Sequence, residues 1–167
     1  AEDEVAREVG SSDIAYVQVE AVLAQCDLFL NEGAALQEKT QKAQKSWAQK
    51  EQNLQAEAAQ LQEKYQKGLI TTNDAQAQQQ SIEKRVASYQ SSAQKEAQAL
   101  DEENYVFTNR AQDLLHRAVQ EINGDKKYKL IINATALIDA DSTLNITPAV
   151  LAKVNELYAA DKKAVKK

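Results

Sequence analysis

The stretch YKLIINATALIDADSTLNITPAV, Tyr128–Val150, packs Leu, Ile and Thr into a chain whose preceding tract is mostly Ala, Gln, Lys and Glu. Tyr128–Ala134 reads as one β-strand, and Ala136–Ser142 reads as a further strand after a turn or bulge. Thr147 then stands as an N-cap, with Pro148 at the first helical position. Val150, Leu151, Val154 and Leu157 recur at helical spacing, so a short final helix is expected from Thr147 to Tyr158. A strand needs a partner, and the candidate lies far upstream. Asp13–Val19 holds Ile14, Tyr16, Val17 and Val19, which are β-branched or aromatic residues in a short run.

Between these regions the pattern is helical. From Glu20 apolar residues recur at helical spacing, with Gly33 as a candidate kink or break. Beyond it, Leu36, Ala43, Trp47, Leu54, Ala58, Leu61 and Tyr65 form a thin seam, with Thr40 and Lys50 at seam-like positions. The pattern stops at Gln66–Gln76, where Gly68 is the candidate C-cap and Asn73 or Asp74 the candidate N-cap of the next helix. A second stripe then runs through Ile82, Val86, Tyr89, Leu100, Phe107, Leu114, Ala118 and Ile122, up to the stop signal Asn123-Gly124. Two long helices joined by a short turn predict an antiparallel hairpin.

The expected fold is therefore α+β and mostly α. It has a small three-stranded β body with a long antiparallel coiled-coil hairpin inserted between the first and second strands. Residues 1–12 read as a flexible acidic arm, 13–30 and 115–160 as the body, 31–114 as the hairpin, and 161–167 as a basic frayed tail. A body of this size has exposed sheet edges and little apolar area, so self-association through it is expected. Its contact residues would be Ile14, Tyr16, Val17, Val19, Leu130, Ile131, Ile132, Leu137 and Ile138.

Composition supports long helices and excludes several functions. The chain has 167 residues, of which 43% are hydrophobic and only 5% aromatic, with four Gly and one Pro to turn it. A net charge of −5 divides into an acidic first segment, a balanced centre and a basic end. No continuous basic stripe suits nucleic acid, and no apolar run suits stable membrane insertion. The sequence has no Met, so residue 1 is not a translational start, and Ala1 fits a signal-cleavage product. Export is the expectation.

Sites of chemistry are scarce. Cys26, the single cysteine, sits among Leu23, Leu28 and Leu30 and reads as a buried apolar thiol. His116 has no spaced partner for a metal, and Asp139 with Asp141 reads as turn chemistry more than as a cation site. No catalytic set or phosphate loop can be assembled, so neither an enzyme nor a cofactor is expected.

The segment IAYVQVEAVL, the Gln/Lys/Glu-rich hairpin and the ending LIINATALIDADSTLNITPAVLAKVNELY together resemble the Skp/OmpH-like periplasmic chaperones. The resemblance runs from Asp13 nearly to the end. It implies a periplasmic homotrimer whose bodies form a hub and whose helical arms enclose a cavity. In that cavity unfolded outer-membrane β-barrel proteins would be held without ATP or cofactor. The best-known members are basic and this chain is acidic, so no lipopolysaccharide site is carried over. The residues available to touch such clients are Trp47, Leu54, Leu61, Tyr65, Ile82, Tyr89 and Tyr105. The same residues also suit a plain inter-helix seam, Trp47, Leu54, Leu61 and Ile82 most of all. The alternatives to a holdase are a structural coiled-coil scaffold and an adaptor protein.

Overall fold

The computed structural model describes residues 13–166. The expected acidic arm at 1–12 lies outside the described residues. The elements run β1 (Ile14–Val17), α1 (Val19–Gln25), a π-helical turn (Phe29–Gly33), α2 (Ala34–Gln66), α3 (Thr72–Ile122), β2 (Leu130–Asn133), two 3₁₀ turns (Ala134–Ala136 and Ser142–Leu144) and α4 (Thr147–Val165). The fold is mostly helical with a small sheet. The chain divides into two compact units. Within the described residues, one comprises 13–34 with 106–166 and the other 35–105.

In the first unit β1 and β2 pair in parallel, with Ile14 opposite Leu130, Ala15 opposite Ile131, Tyr16 opposite Ile132 and Val17 opposite Asn133. Parallel pairing demands a long crossover, and all three helices α1 to α3 lie within it. The expected pairing of the upstream and downstream segments is present, but the sheet has two strands and not three. Ala136–Ser142 does not form a strand. Asn133 Oδ1 accepts from the Thr135 amide, and Asp141 Oδ1 accepts from the Thr143 amide and hydroxyl. These local bonds close 3₁₀ turns at both ends of the segment and compete with an extended ladder. The free edge of β1 is also taken. Tyr16 bridges Asn145, and the Ile146 amide donates to the Tyr16 carbonyl at 3.0 Å.

One core fills this unit. Val17, Val22, Cys26, Leu28, Leu114, Ala118, Val150, Val154, Leu157 and Tyr158 are buried against one another. They bring β1, α1, α3 and α4 together, and burial at this scale is the main favourable term in folding. Cys26 is a buried free thiol, as its neighbours suggested. The seven-residue α1 stops there because the Cys26 backbone turns extended. The π-turn follows, and Gly33, the expected break, is its last residue. A methyl group on Gly33 would meet Phe107 Cζ at 3.0 Å and Phe29 at 3.2 Å. Glycine is what lets those two rings approach each other, with centroids 6.4 Å apart.

Thr147 is not the N-cap of α4. It is the helix's first residue, and its hydroxyl accepts from the Gln18 amide at 2.9 Å while donating to Asn145 Oδ1. That bond ties α4 to the end of β1, so tertiary contact claims the hydroxyl before capping can. Helix α4 also continues past Tyr158 to Val165. It is held there by Arg117 on α3, whose guanidinium donates to both Asp161 carboxylate oxygens at 2.9 and 3.1 Å.

In the second unit α2 and α3 run antiparallel. Lys39 meets Glu103, Trp47 Nε1 donates to Glu96, and Arg85 meets Glu57, so partners rise along one helix as they fall along the other. Ala43, Leu61, Ile82 and Leu100 are buried in the seam. Gly68 ends α2 with φ at 70°. The Leu69 amide reaches back to the Lys64 carbonyl and the Gly68 amide to Tyr65, a Schellman closure. The cap of α3 is Thr71, whose Oγ1 accepts from the Asp74 amide at 3.1 Å. Asn73 and Asp74 lie inside the helix instead. Asp74 sits in the first turn, where a carboxylate favours the helix dipole.

Candidate interaction surfaces

The first surface belongs to the strand-bearing unit. Residues that alternate along β1 and β2 send one set inward and leave another at the surface. Val17 goes into the core, Tyr16, Val19, Ile131, Ile132 and Leu137 are half-buried, and Ile14 and Leu130 are 45% and 50% exposed. Ile138 is fully exposed. An apolar groove of about 480 Å³ opens beside β2, walled by Val17, Leu23, Leu115, Val119, Ile131 and Ile132, with His116 among its lining residues. A second hollow of about 600 Å³ shares Val119 with it and is lined by Asn123, Gly124, Lys126, Tyr128 and Lys129.

The loop that builds this second hollow is tightly held. Asn123 Nδ2 donates to the Tyr128 carbonyl and its Oδ1 accepts from the Tyr128 amide, both at 2.9 Å. The clamp folds Gly124–Lys127 back on themselves, and Lys126 takes φ of 54°. A positive φ on a long side chain costs free energy that the surrounding bonds must offset. Lys129 pairs with Asp13 at 3.1 Å, whereas Lys126 has no ion-pair partner among the described residues.

The second surface lies on the helix pair. Leu61 and Ile82 are each 6% exposed and pack in the seam. Trp47, Leu54 and Tyr89 are half-buried, and the Trp47 indole donates to Glu96 at 2.8 Å. Tyr65 and Tyr105 are 50% and 69% exposed, and Leu69 in the turn is 68% exposed. Of the seven residues singled out from the sequence, two tyrosines are thus open, three are partly open and two are covered.

Some arrangements had no signal in the sequence. Arg110 clasps Glu32 with two bonds, at 2.6 and 3.2 Å, across 78 positions. Arg110 therefore holds the Glu32 carboxyl below its usual range, against the opposing effect of burial. Arg117 likewise holds Asp161 below the usual carboxylate range. The Tyr158 hydroxyl is buried with no hydrogen-bond partner among the described residues. It nonetheless lies close enough to raise the proton affinity of Lys162, whose ammonium sits 4.9 Å from the ring centroid. No periodicity marks such long-range pairs; only the fold brings them together.

Among the described residues, no three His, Cys, Asp or Glu side chains gather as metal ligands. No helix among them is long and apolar enough to cross a membrane.

No match was found among curated proteins. One solved structure is similar over 87% of this chain and 85% of its own length, with a TM-score of 0.73 at 16% identity. It is an OmpH-like protein of Caulobacter crescentus CB15, described as a candidate outer membrane chaperone. At that identity the likeness speaks for the fold. A family model for outer membrane protein (OmpH-like) matches residues 13–154, most of the sequence and both units. By that match the chain belongs to the OmpH-like family.

Proposed function

We propose that this protein is a non-enzymatic, ATP-independent holdase of the periplasm. It would assemble as a homotrimer through the strand-bearing unit and keep unfolded outer-membrane β-barrel proteins from aggregating between its helical hairpins. Family membership supports the chaperone class. The observation that carries the assembly is the sheet itself. Two strands beside an apolar groove of about 480 Å³, with Ile14, Leu130 and Ile138 at the surface, leave apolar area that a further copy would cover.

The hairpin suits weak, repeated contact with unfolded segments. Its exposed large apolar residues are spaced apart, Tyr65 and Leu69 near the turn and Tyr105 far along α3. Separate small contacts bind many sequences by multivalency and avoid one sticky patch that would aggregate the chaperone itself. Tyr65, Tyr105 and the half-buried Trp47, Leu54 and Tyr89 would touch clients, while Leu61 and Ile82 would hold the seam. Clients leave when folding at the membrane outcompetes these contacts.

The test removes the hairpin. A variant with residues 35–105 replaced by a short flexible linker should stay folded and oligomeric by light scattering, yet lose all ability to keep a urea-unfolded outer-membrane β-barrel soluble on dilution. If that variant suppressed aggregation as well as the intact chain, the hairpin would not be the client-binding element. A scaffold would instead prefer one folded partner over several unfolded ones.

A further inference from the structure

We infer that Asn123-Gly124 is a latent deamidation site that the fold holds closed, and that opening of the loop between α3 and β2 exposes it to irreversible modification.

The pair sets two reacting groups side by side. Gly124 is the one glycine of the chain that follows an asparagine. Its backbone nitrogen, once deprotonated, can attack the side-chain carbonyl carbon of Asn123. A bond forms from the Gly124 nitrogen to Asn123 Cγ, the Cγ–Nδ2 bond breaks, and Nδ2 leaves as ammonia. Water then opens the resulting succinimide ring to an aspartyl or an isoaspartyl residue. Nothing is oxidised or reduced. Glycine favours the attack because it has no Cβ to shield the nitrogen.

Burial does not protect this pair. Gly124 is exposed and Asn123 half-buried, and both line the hollow of about 600 Å³, so water reaches them. Hydrogen bonds do protect it. Asn123 Nδ2 donates to the Tyr128 carbonyl and Oδ1 accepts from the Tyr128 amide, both at 2.9 Å, which turns the carboxamide toward Tyr128. The Gly124 amide donates to the Glu121 carbonyl at 3.2 Å, which holds its proton and aims it back at α3. Attack requires both groups to come free together. The same loop carries Lys126 at φ of 54°, a strain that opening would release. The reaction therefore waits on loop opening, and a local opening costs less than global unfolding.

The product cannot restore the clamp. An aspartyl carboxylate offers only acceptors, so the Tyr128 carbonyl loses its donor. An isoaspartyl residue adds a backbone carbon just ahead of β2, where Leu130 must meet Ile14. A transient opening thus leaves a permanent mark, and a marked chain closes less firmly.

Mass spectrometry of the tryptic peptide Ala118–Lys126, in which Asn123 is the one asparagine, follows the reaction. The full chain is held at mildly alkaline pH, native or in urea, with circular dichroism as the check on folding. The native chain should react at least about 100-fold more slowly than the urea-unfolded chain. Tyr128→Pro removes the donor to Asn123 Oδ1 and should raise the native rate at least about tenfold, whereas Tyr128→Ala keeps both backbone groups and should stay within about threefold of the parent. If Tyr128→Pro fails to fold, Lys126→Gly, which relieves the positive φ, should slow the native reaction about threefold and leave the rate in urea unchanged. Equal rates in the native and unfolded parent would overturn the protection. So would a folded Tyr128→Pro that reacts no faster than Tyr128→Ala, or, where Tyr128→Pro does not fold, a native Lys126→Gly that reacts as fast as the parent. An unfolded parent that reacts no faster than unfolded Gly124→Ala would overturn the site itself.

Discussion

Gly68 and Thr71 show how single residues shape the turn between α2 and α3. Gly68 has φ of 70° and open space around it, so a methyl group there would meet backbone strain and not crowding. Gly68→Ala should therefore destabilise by about 1 kcal/mol, and Thr71→Ala by about 1 kcal/mol through the lost cap. Both are checked by urea denaturation with helical signal as readout. Asp161 gives a pH-dependent case. Arg117 lowers its folded pKa, so its stabilising contribution is present above the unfolded value of about 3.9 and is lost as pH falls through the folded one. The gap in melting temperature between the parent and Asp161→Asn should be widest at neutral pH and close below pH 4. The pair is half-exposed, so the gap should also narrow in high salt. A gap unchanged between pH 3 and pH 7 would rule out the ion pair as its source.

Elements differ in how much packing holds them. Leu28 and Val22 are fully buried between helices, whereas Leu69 stands mostly in solvent. Leu28→Ala should cost about 2–5 kcal/mol and Leu69→Ala under about 0.5 kcal/mol, read from denaturant midpoints at constant slope. The break between α1 and α2 explains why Leu28 matters. The helix yields at Cys26, and the freed Asp27 amide donates to Asn155 Oδ1 at 2.8 Å on α4. The sequence pointed to Gly33 for this break. The interruption begins seven residues earlier because α4 supplies a partner for a backbone group that a continuous helix would bond internally.

At the scale of the whole molecule, the proposed self-association would make stability depend on concentration. Anything that binds the folded chain and not the unfolded one raises the melting point by mass action. If copies assemble through the strand-bearing unit, melting temperature should rise by several degrees over a hundredfold increase in protein concentration, and the rise should vanish in Ile138→Asp. Scanning calorimetry across that range checks it, and a flat melting temperature in the parent would count against assembly. Tertiary packing also explains why the seven hairpin residues singled out from the sequence cannot be ranked by hydrophobicity alone. Leu61 and Ile82 are covered by the opposite helix, and Tyr65 and Tyr105 are not.

The local pattern of residues determined the long helices, their reversal at Gly68, the stop at Asn123-Gly124, and the two distant β segments that pair. Each follows from periodicity or from a backbone preference that acts within a few residues. Tertiary structure alone decided the parallel register of Ile14 with Leu130, the loss of the expected third strand, and the diversion of Thr147 from capping α4 to holding Gln18. Those outcomes turn on competition for hydrogen-bond partners, in the first and last cases between groups more than a hundred residues apart. A local pattern states what each group prefers; only the folded chain states which partner reaches it first.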